Sequence, residues 1–160
     1  MPNWPDDDAL FPVAAPLIKG FEGFRSKPYL DSVGVATIGY GTIKYPGGKA
    51  VTMQDAQITE DQASGFLKND IAGRTAQMAP LLTRAATLHQ ASAMLSLAYN
   101  IGVAGFRTST VLRKFNEGDL QASADAFMMW NKGTVNGQKV VIDGLNNRRT
   151  RERTFFLTAD

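Results

Sequence analysis

Cysteine is absent from this chain, so the fold owes nothing to disulfides or thiolate-bound metal and tolerates reducing and oxidising surroundings alike. Histidine occurs once, at His89. With a single imidazole and no thiol, a tightly held transition metal has few ligands to draw on, and neither metal nor cofactor is expected. No apolar run reaches the roughly 18 residues that a membrane-spanning helix needs, so stable membrane insertion is not expected. The opening residues, MPNWPDDDALFPVAAPLIKG, carry three consecutive aspartates where a secretory leader has a basic region, and they do not read as a signal. A strong charge of one sign is also lacking: the net charge is only +2. Residues 1 to 80 hold 7 basic and 9 acidic side chains, and residues 81 to 160 hold 10 and 6. Such a basic half can steer a protein toward an anionic polymer, but the bias is too small, and the aromatic residues too apolar in pattern, to favour nucleic acid.

What is present suffices for one globular domain. The chain has 160 residues, 44% of them hydrophobic and 20% charged, which is unlike a disordered protein. Pro2, Pro5 and Asp6 to Asp8 mark the first dozen residues as a surface arm, with Trp4 and Phe11 as possible anchors. From Pro16, Leu17, Ile18, Phe21 and Phe24 recur at helical spacing, and a proline is tolerated at a first helical position. Between Lys27 and Val51 strand formers alternate with Gly34, Gly39, Gly41 and Pro46-Gly47-Gly48, the pattern of a small antiparallel sheet that must lean on helices.

Thr59 and Gln62 have capping-box spacing at the start of a helix, and Pro80 breaks or kinks the apolar run that follows. Residues 85 to 101 read as a core helix, 108 to 116 and 120 to 130 as two more, KGTVNGQKVVIDG as a loop or small hairpin, and 147 to 157 as a final basic helix. The fold class is therefore α+β, mostly α, with one small sheet and two lobes. Residues 1–16 form an arm and 17–160 a single domain, its β-containing lobe spanning about 17–70 and its helical lobe about 71–160.

The stretch LIKGFEGFRSKPYLDSVGVATIGYGT, from Leu17 to Thr42, carries the chemistry. Glu22 is followed nine residues later by Asp31, and Thr37 lies six beyond. Breaking an acetal needs one carboxylic acid to protonate the leaving oxygen and one carboxylate to activate water or attack the sugar. Glu22 sits between Gly20-Phe21 and Gly23-Phe24, where partial desolvation would keep an acid protonated. Asp31 suits either an ionised partner or a turn residue bonding its own backbone, and both can hold at once. Thr37 alone would be an ordinary strand threonine.

This pattern, closed by TIGYG, resembles the phage-type lysozymes, the glycoside hydrolase family of bacteriophage endolysins. LSLAYNIGVAGFRTSTVLRKFNEGD, FMMWN and GLNNRRTRERTFF resemble successive segments of that family in the same order, so the likeness runs from about Leu17 to the C-terminus. It implies a lysozyme-like two-lobed fold with the small sheet beside a catalytic cleft. It also implies a muramidase cutting the β-1,4 bond between N-acetylmuramic acid and N-acetylglucosamine.

In the implied inverting mechanism Glu22 is the acid, Asp31 the base or electrostatic partner, and Thr37 a holder of the attacking water. Asn100 and Arg148 become substrate-contact candidates, with Arg149 the alternative to Arg148 and solvated surface the plain reading of either arginine. The partner is peptidoglycan. The protein is expected to act as a monomer, made in the host cytoplasm and released to the wall in the periplasm through a holin or comparable route. Where the family commonly has a histidine paired with an acid on the next helix, this chain has Thr42, with Asp70 as the acid, which puts that ion pair in doubt. Rival readings are a lytic transglycosylase, which needs the glutamate alone, a wall-binding protein without turnover, and a tail helix that disturbs membranes.

Overall fold

A computed structural model describes residues 2–160. Its chain separates into two compact units, Ala15–Gly73 and the remainder, with both divisions falling inside helices. The fold is mostly helical, with two two-stranded antiparallel sheets.

Helix α1 spans Asp7–Glu22, so the expected arm is already helical nine residues before Pro16. The aspartates that read as an arm are helix-starting residues. Asp6 accepts the Asp8 amide on its side chain and the Ala9 and Leu10 amides on its carbonyl, and Asp7 and Asp8 lie where the helix dipole favours negative charge. Pro12 and Pro16, four residues apart, share an exposed face, where a carbonyl deprived of its amide partner can be hydrated. Trp4 is buried, and the segment before α1 is tied down by Asn3, whose amide donates to the Leu82 carbonyl while its own carbonyl accepts from the Ala86 amide.

In the unit Ala15–Gly73, strands β1 (Arg25–Leu30) and β2 (Ala36–Gly39) pair with Tyr29 opposite Thr37 and Leu30 opposite Ala36. The register slips between Arg25 and Tyr29, where Pro28 has no amide to offer the ladder. Helix α2 (Glu60–Met78) opens with the expected capping box: the Gln62 amide donates to Thr59 Oγ1 and the Thr59 amide to Gln62 Oε1. Tyr40 OH donates to Glu60 and Lys19 to Ser64, tying the sheet side and the end of α1 to α2.

The other unit is built around α3 (Leu88–Ile101), in which every residue from Ala91 to Tyr99 is buried. Short helices follow: α4 (Val103–Arg107), α5 (Thr110–Glu117) and α6 (Leu120–Ala126), the last continuing as a 3-10 turn over Phe127–Trp130. The expected loop or hairpin is a hairpin, β3 (Lys132–Val135) with β4 (Gln138–Val141), and α7 (Asp143–Leu157) closes the chain. Phe115 and Phe127 meet Phe156 at ring-centre distances of 6.2 and 5.5 Å. The start of α3 is capped twice, by Thr87 with Gln90 and by the Asp160 carboxylate, which accepts the Leu88 and His89 amides. His89 stacks near Phe155 and contacts the same carboxylate, a structural role.

The loop before α2 is held by Asp55, which accepts from Thr52 Oγ1 at 2.6 Å, the Thr52 amide at 2.9 Å and Tyr45 OH at 2.7 Å. Those bonds, the Thr52 hydroxyl foremost, hold the Asp55 carboxyl down to about 2, while burial and then Asp55 itself push Tyr45 up to about 12. A depressed carboxyl stabilises the folded state above its ordinary value of 3.8 and loses that contribution as pH falls toward about 2. The raised phenol contributes below its ordinary 10.0 and ceases to as pH climbs through about 12. Thermal melts of wild type and Asp55→Asn at acid pH should therefore converge. The wild-type midpoint should fall more steeply between pH 4 and pH 2, as read against the Asp55 values of 3.8 and about 2.

Candidate active site

Glu22 is the last residue of α1 and half-buried. The helix stops there because Gly23 adopts φ +68°, a left-handed conformation that glycine takes without strain, and its amide closes on the Lys19 carbonyl. The glutamate is thereby fixed at a helix end immediately before β1.

Asp31 begins the turn between β1 and β2. Its Oδ1 accepts the Val33 and Val35 amides at 2.9 and 2.8 Å, its amide donates to the Val35 carbonyl, and its carbonyl accepts from Gly34, which needs φ +85°. The turn and ionised-partner readings of Asp31 are thus compatible. Both side-chain bonds fall on Oδ1, and among the described residues none falls on Oδ2. Thr37, on β2, donates its hydroxyl to the Val35 carbonyl at 2.9 Å, so what it still offers is acceptor capacity. Thr37 is buried, only 3% exposed.

Tyr29 is the group at this site that the motif did not reveal. It lies opposite Thr37 on β1, and the Arg25 guanidinium sits 4.2 Å from its ring centre. Burial pushes its phenol above the ordinary value, followed by the charge of Glu22 and, after an opposing effect of Arg25, that of Asp31. One neutral phenol therefore feels both carboxylates. Its presence was readable in KPYLDS, but the side of the strand it would take was not.

Thr42, in the position the family gives to histidine, is fully buried and donates to Asp70 Oδ2 at 2.7 Å. Where the resemblance put an ion pair in doubt, a hydroxyl-to-carboxylate bond joins the two residues.

The two substrate-contact candidates lie in the other unit. Asn100 is exposed near the end of α3, and its Oδ1 accepts from Arg149 Nη2 at 2.9 Å. Arg148 and Arg149 are both buried, so the solvated-surface reading of this pair does not hold. Their partner is Glu152, which sequence inspection passed over although it stands one helical turn beyond both. Arg149 Nε lies 2.7 Å from Glu152 Oε1, and Arg148 Nε 3.2 Å from Oε2. Ser96, on α3, donates to the same carboxylate, and Arg148 Nη2 reaches the Ser96 carbonyl at 3.0 Å. Burial dominates the titration of both ends of this cluster, pushing Glu152 up and Arg149 down, each opposed by the other's charge. Among the described residues no group of three or more acidic, histidine or cysteine side chains is arranged to hold a metal ion.

A short sheet ending a glutamate-terminated helix, with a bundle around one buried helix in the other unit, defines a lysozyme-type fold. A family model described as phage lysozyme matches residues 19–152. The endolysin of Acyrthosiphon pisum secondary endosymbiont phage 1 is 39% identical over 143 residues, covering 89% of this chain and 94% of that relative. The SAR-endolysin of Bacteriophage PS119 is 37% identical and covers 86% and 77% respectively. The solved structure of the endolysin from Escherichia coli O157:H7 phage FAHEc1 superposes with a TM-score of 0.82 at 38% identity, covering 90% of each chain. This chain belongs to the phage lysozyme family.

Removing Glu152 strands two buried guanidinium groups. Glu152→Ala should lower unfolding free energy by about 3–5 kcal/mol, as read from chemical denaturation.

Proposed function

We propose that this chain, a lysozyme-family hydrolase, is a phage or prophage endolysin that cleaves the β-1,4 bond between N-acetylmuramic acid and N-acetylglucosamine in peptidoglycan, with residues 17–160 as its catalytic domain. The observation that supports the reading is that Glu22 ends α1 directly before β1, Asp31 closes the turn from β1 to β2, and Thr37 lies on β2 opposite Tyr29, all within one compact unit. Glu22 gives its proton to the glycosidic oxygen as the bond from the anomeric carbon breaks. Water adds to that carbon from the other face, passing one proton to Asp31 Oδ2 while its second hydrogen rests on Thr37 Oγ1. Thr37 suits an accepting role because its own proton is engaged by Val35. Proton exchange with solvent then restores both carboxyl groups.

This is the inverting course, which requires room for a water between the carboxyl groups, a separation of roughly 6.5–9.5 Å. Tyr29, its phenol pushed above the ordinary value first by burial, adds no charge beside the two carboxyl groups. Asn100 and Arg148 are the proposed saccharide contacts. We further propose a monomer that acts on the cell wall after release through a holin or comparable route. Among the described residues no helix is long and apolar enough to cross a membrane, and several relatives are named SAR-endolysins.

Glu22→Gln should lower the release of reducing ends from purified peptidoglycan by roughly 100- to 10,000-fold while melting like wild type. Anhydromuramic ends in place of reducing ends would assign a lytic transglycosylase instead, and lysis that survives the substitution would point to membrane damage. Asp31→Asn keeps an oxygen to accept the Val33 and Val35 amides, so it should fold yet lose turnover, whereas Asp31→Ala should lose both turnover and turn stability. NMR of the first-formed product should show the α anomer, and a β anomer would exchange the inverting course for a retaining one.

A further inference from the structure

We propose that Arg149, anchored by Glu152, fixes the side-chain amide of Asn100 in one orientation, so that Asn100 presents only its NH2 group to ligand and recognises an amide carbonyl of the glycan. This rests on the peptidoglycan reading and adds to it the polarity of a specificity contact and the residues that set it.

An exposed asparagine ordinarily offers either a donor or an acceptor, because its amide can turn over. Here the turn is forbidden. Arg149 has only N–H groups and no acceptor, so the atom facing its Nη2 at 2.9 Å must be the Asn100 oxygen. Arg149 cannot withdraw: it is 0% exposed, its Nε and Nη2 face the two oxygens of Glu152 at 2.7 and 3.4 Å, and its Nη1 reaches the Trp130 carbonyl at 3.5 Å. The Asn100 nitrogen is turned away from this network and has no hydrogen-bond partner among the described residues.

A donor held in place by a buried ion pair pays little ordering cost on binding. An NH2 that can only donate calls for a ligand atom that accepts a hydrogen bond. In the wall polymer that atom is the carbonyl oxygen of an acetamido group or of the lactyl amide. Arg149 and Glu152 act through Asn100 and are positioning residues.

The test measures binding to the Glu22→Gln protein, which spares the ligand from hydrolysis, by calorimetry. The probes are an N-acetylglucosamine tetramer, its de-N-acetylated form, and the disaccharide-peptide of peptidoglycan. Asn100→Ala should weaken the acetylated tetramer about fivefold to tenfold and leave the de-N-acetylated one unchanged. Asn100→Asp keeps an oxygen for Arg149 and removes the NH2, so it should weaken the neutral acetylated tetramer just as alanine does. Weakening confined to the disaccharide-peptide would support the lactyl amide as the carbonyl recognised. Wild-type affinity in Asn100→Asp would show that the residue serves only to satisfy Arg149, and unchanged affinity of Asn100→Ala for every probe would likewise overturn the proposal. Reducing ends released by the protein with Glu22 intact keep the peptidoglycan reading standing in either case, and their absence would remove that reading itself.

Discussion

The turn joining the first two strands is held by one carboxylate oxygen, Asp31 Oδ1, which takes two backbone amides that would otherwise be left to water. Everything at the candidate site follows from that closure. It sets where β2 begins, hence the pairing that puts Thr37 across from Tyr29, and it aims the second oxygen of the same carboxylate without further help from the protein. The side chain that shapes the loop is also the one assigned to activate water. The two amides that close the turn occupy Oδ1 and leave Oδ2 for the water of the proposed reaction. Glu22, the acid of that proposal, stands at the end of α1, flanked in sequence by Phe21, Gly23 and Phe24.

The helical unit solves a different problem. Burying a charge is costly unless it is paired and hydrogen-bonded, and Glu152 is surrounded by Arg148, Arg149 and the Ser96 hydroxyl. The cluster fastens α7 to α3 by directional bonds. Such contacts contribute less to net stability than hydrophobic ones of equal volume. What they supply is a defined geometry, and the buried end of that geometry reaches the surface at Asn100.

Much of this was legible in the residues. The Thr59 and Gln62 spacing gave the start of α2, and the alanine- and leucine-rich run gave the buried helix α3. The order of Glu22, Asp31 and Thr37 brought together groups that do share one unit. The start of α1 was missed because aspartates beside prolines look alike in a loose arm and in a first helical turn, where the same charges answer the helix dipole. The inner face of α7 was missed for a more general reason. Hydrophobic periodicity finds buried positions only when they are apolar, and on α7 three of the buried residues, Arg148, Arg149 and Glu152, are charged. Tyr29 escaped because which charges reach its phenol is a property of three-dimensional neighbours alone.

Thr42 stands where the resemblance to phage lysozymes leads one to expect a histidine, and the difference bears on how the contact with Asp70 responds to pH. An imidazole facing a carboxylate gains or loses its charge within the span from about pH 5 to pH 8, and its grip changes with it. A threonine hydroxyl does not ionise there. The bond from Thr42 to Asp70 Oδ2 on α2 therefore has a donor with no charge to gain or lose in that range, unlike the imidazole that the resemblance leads one to expect.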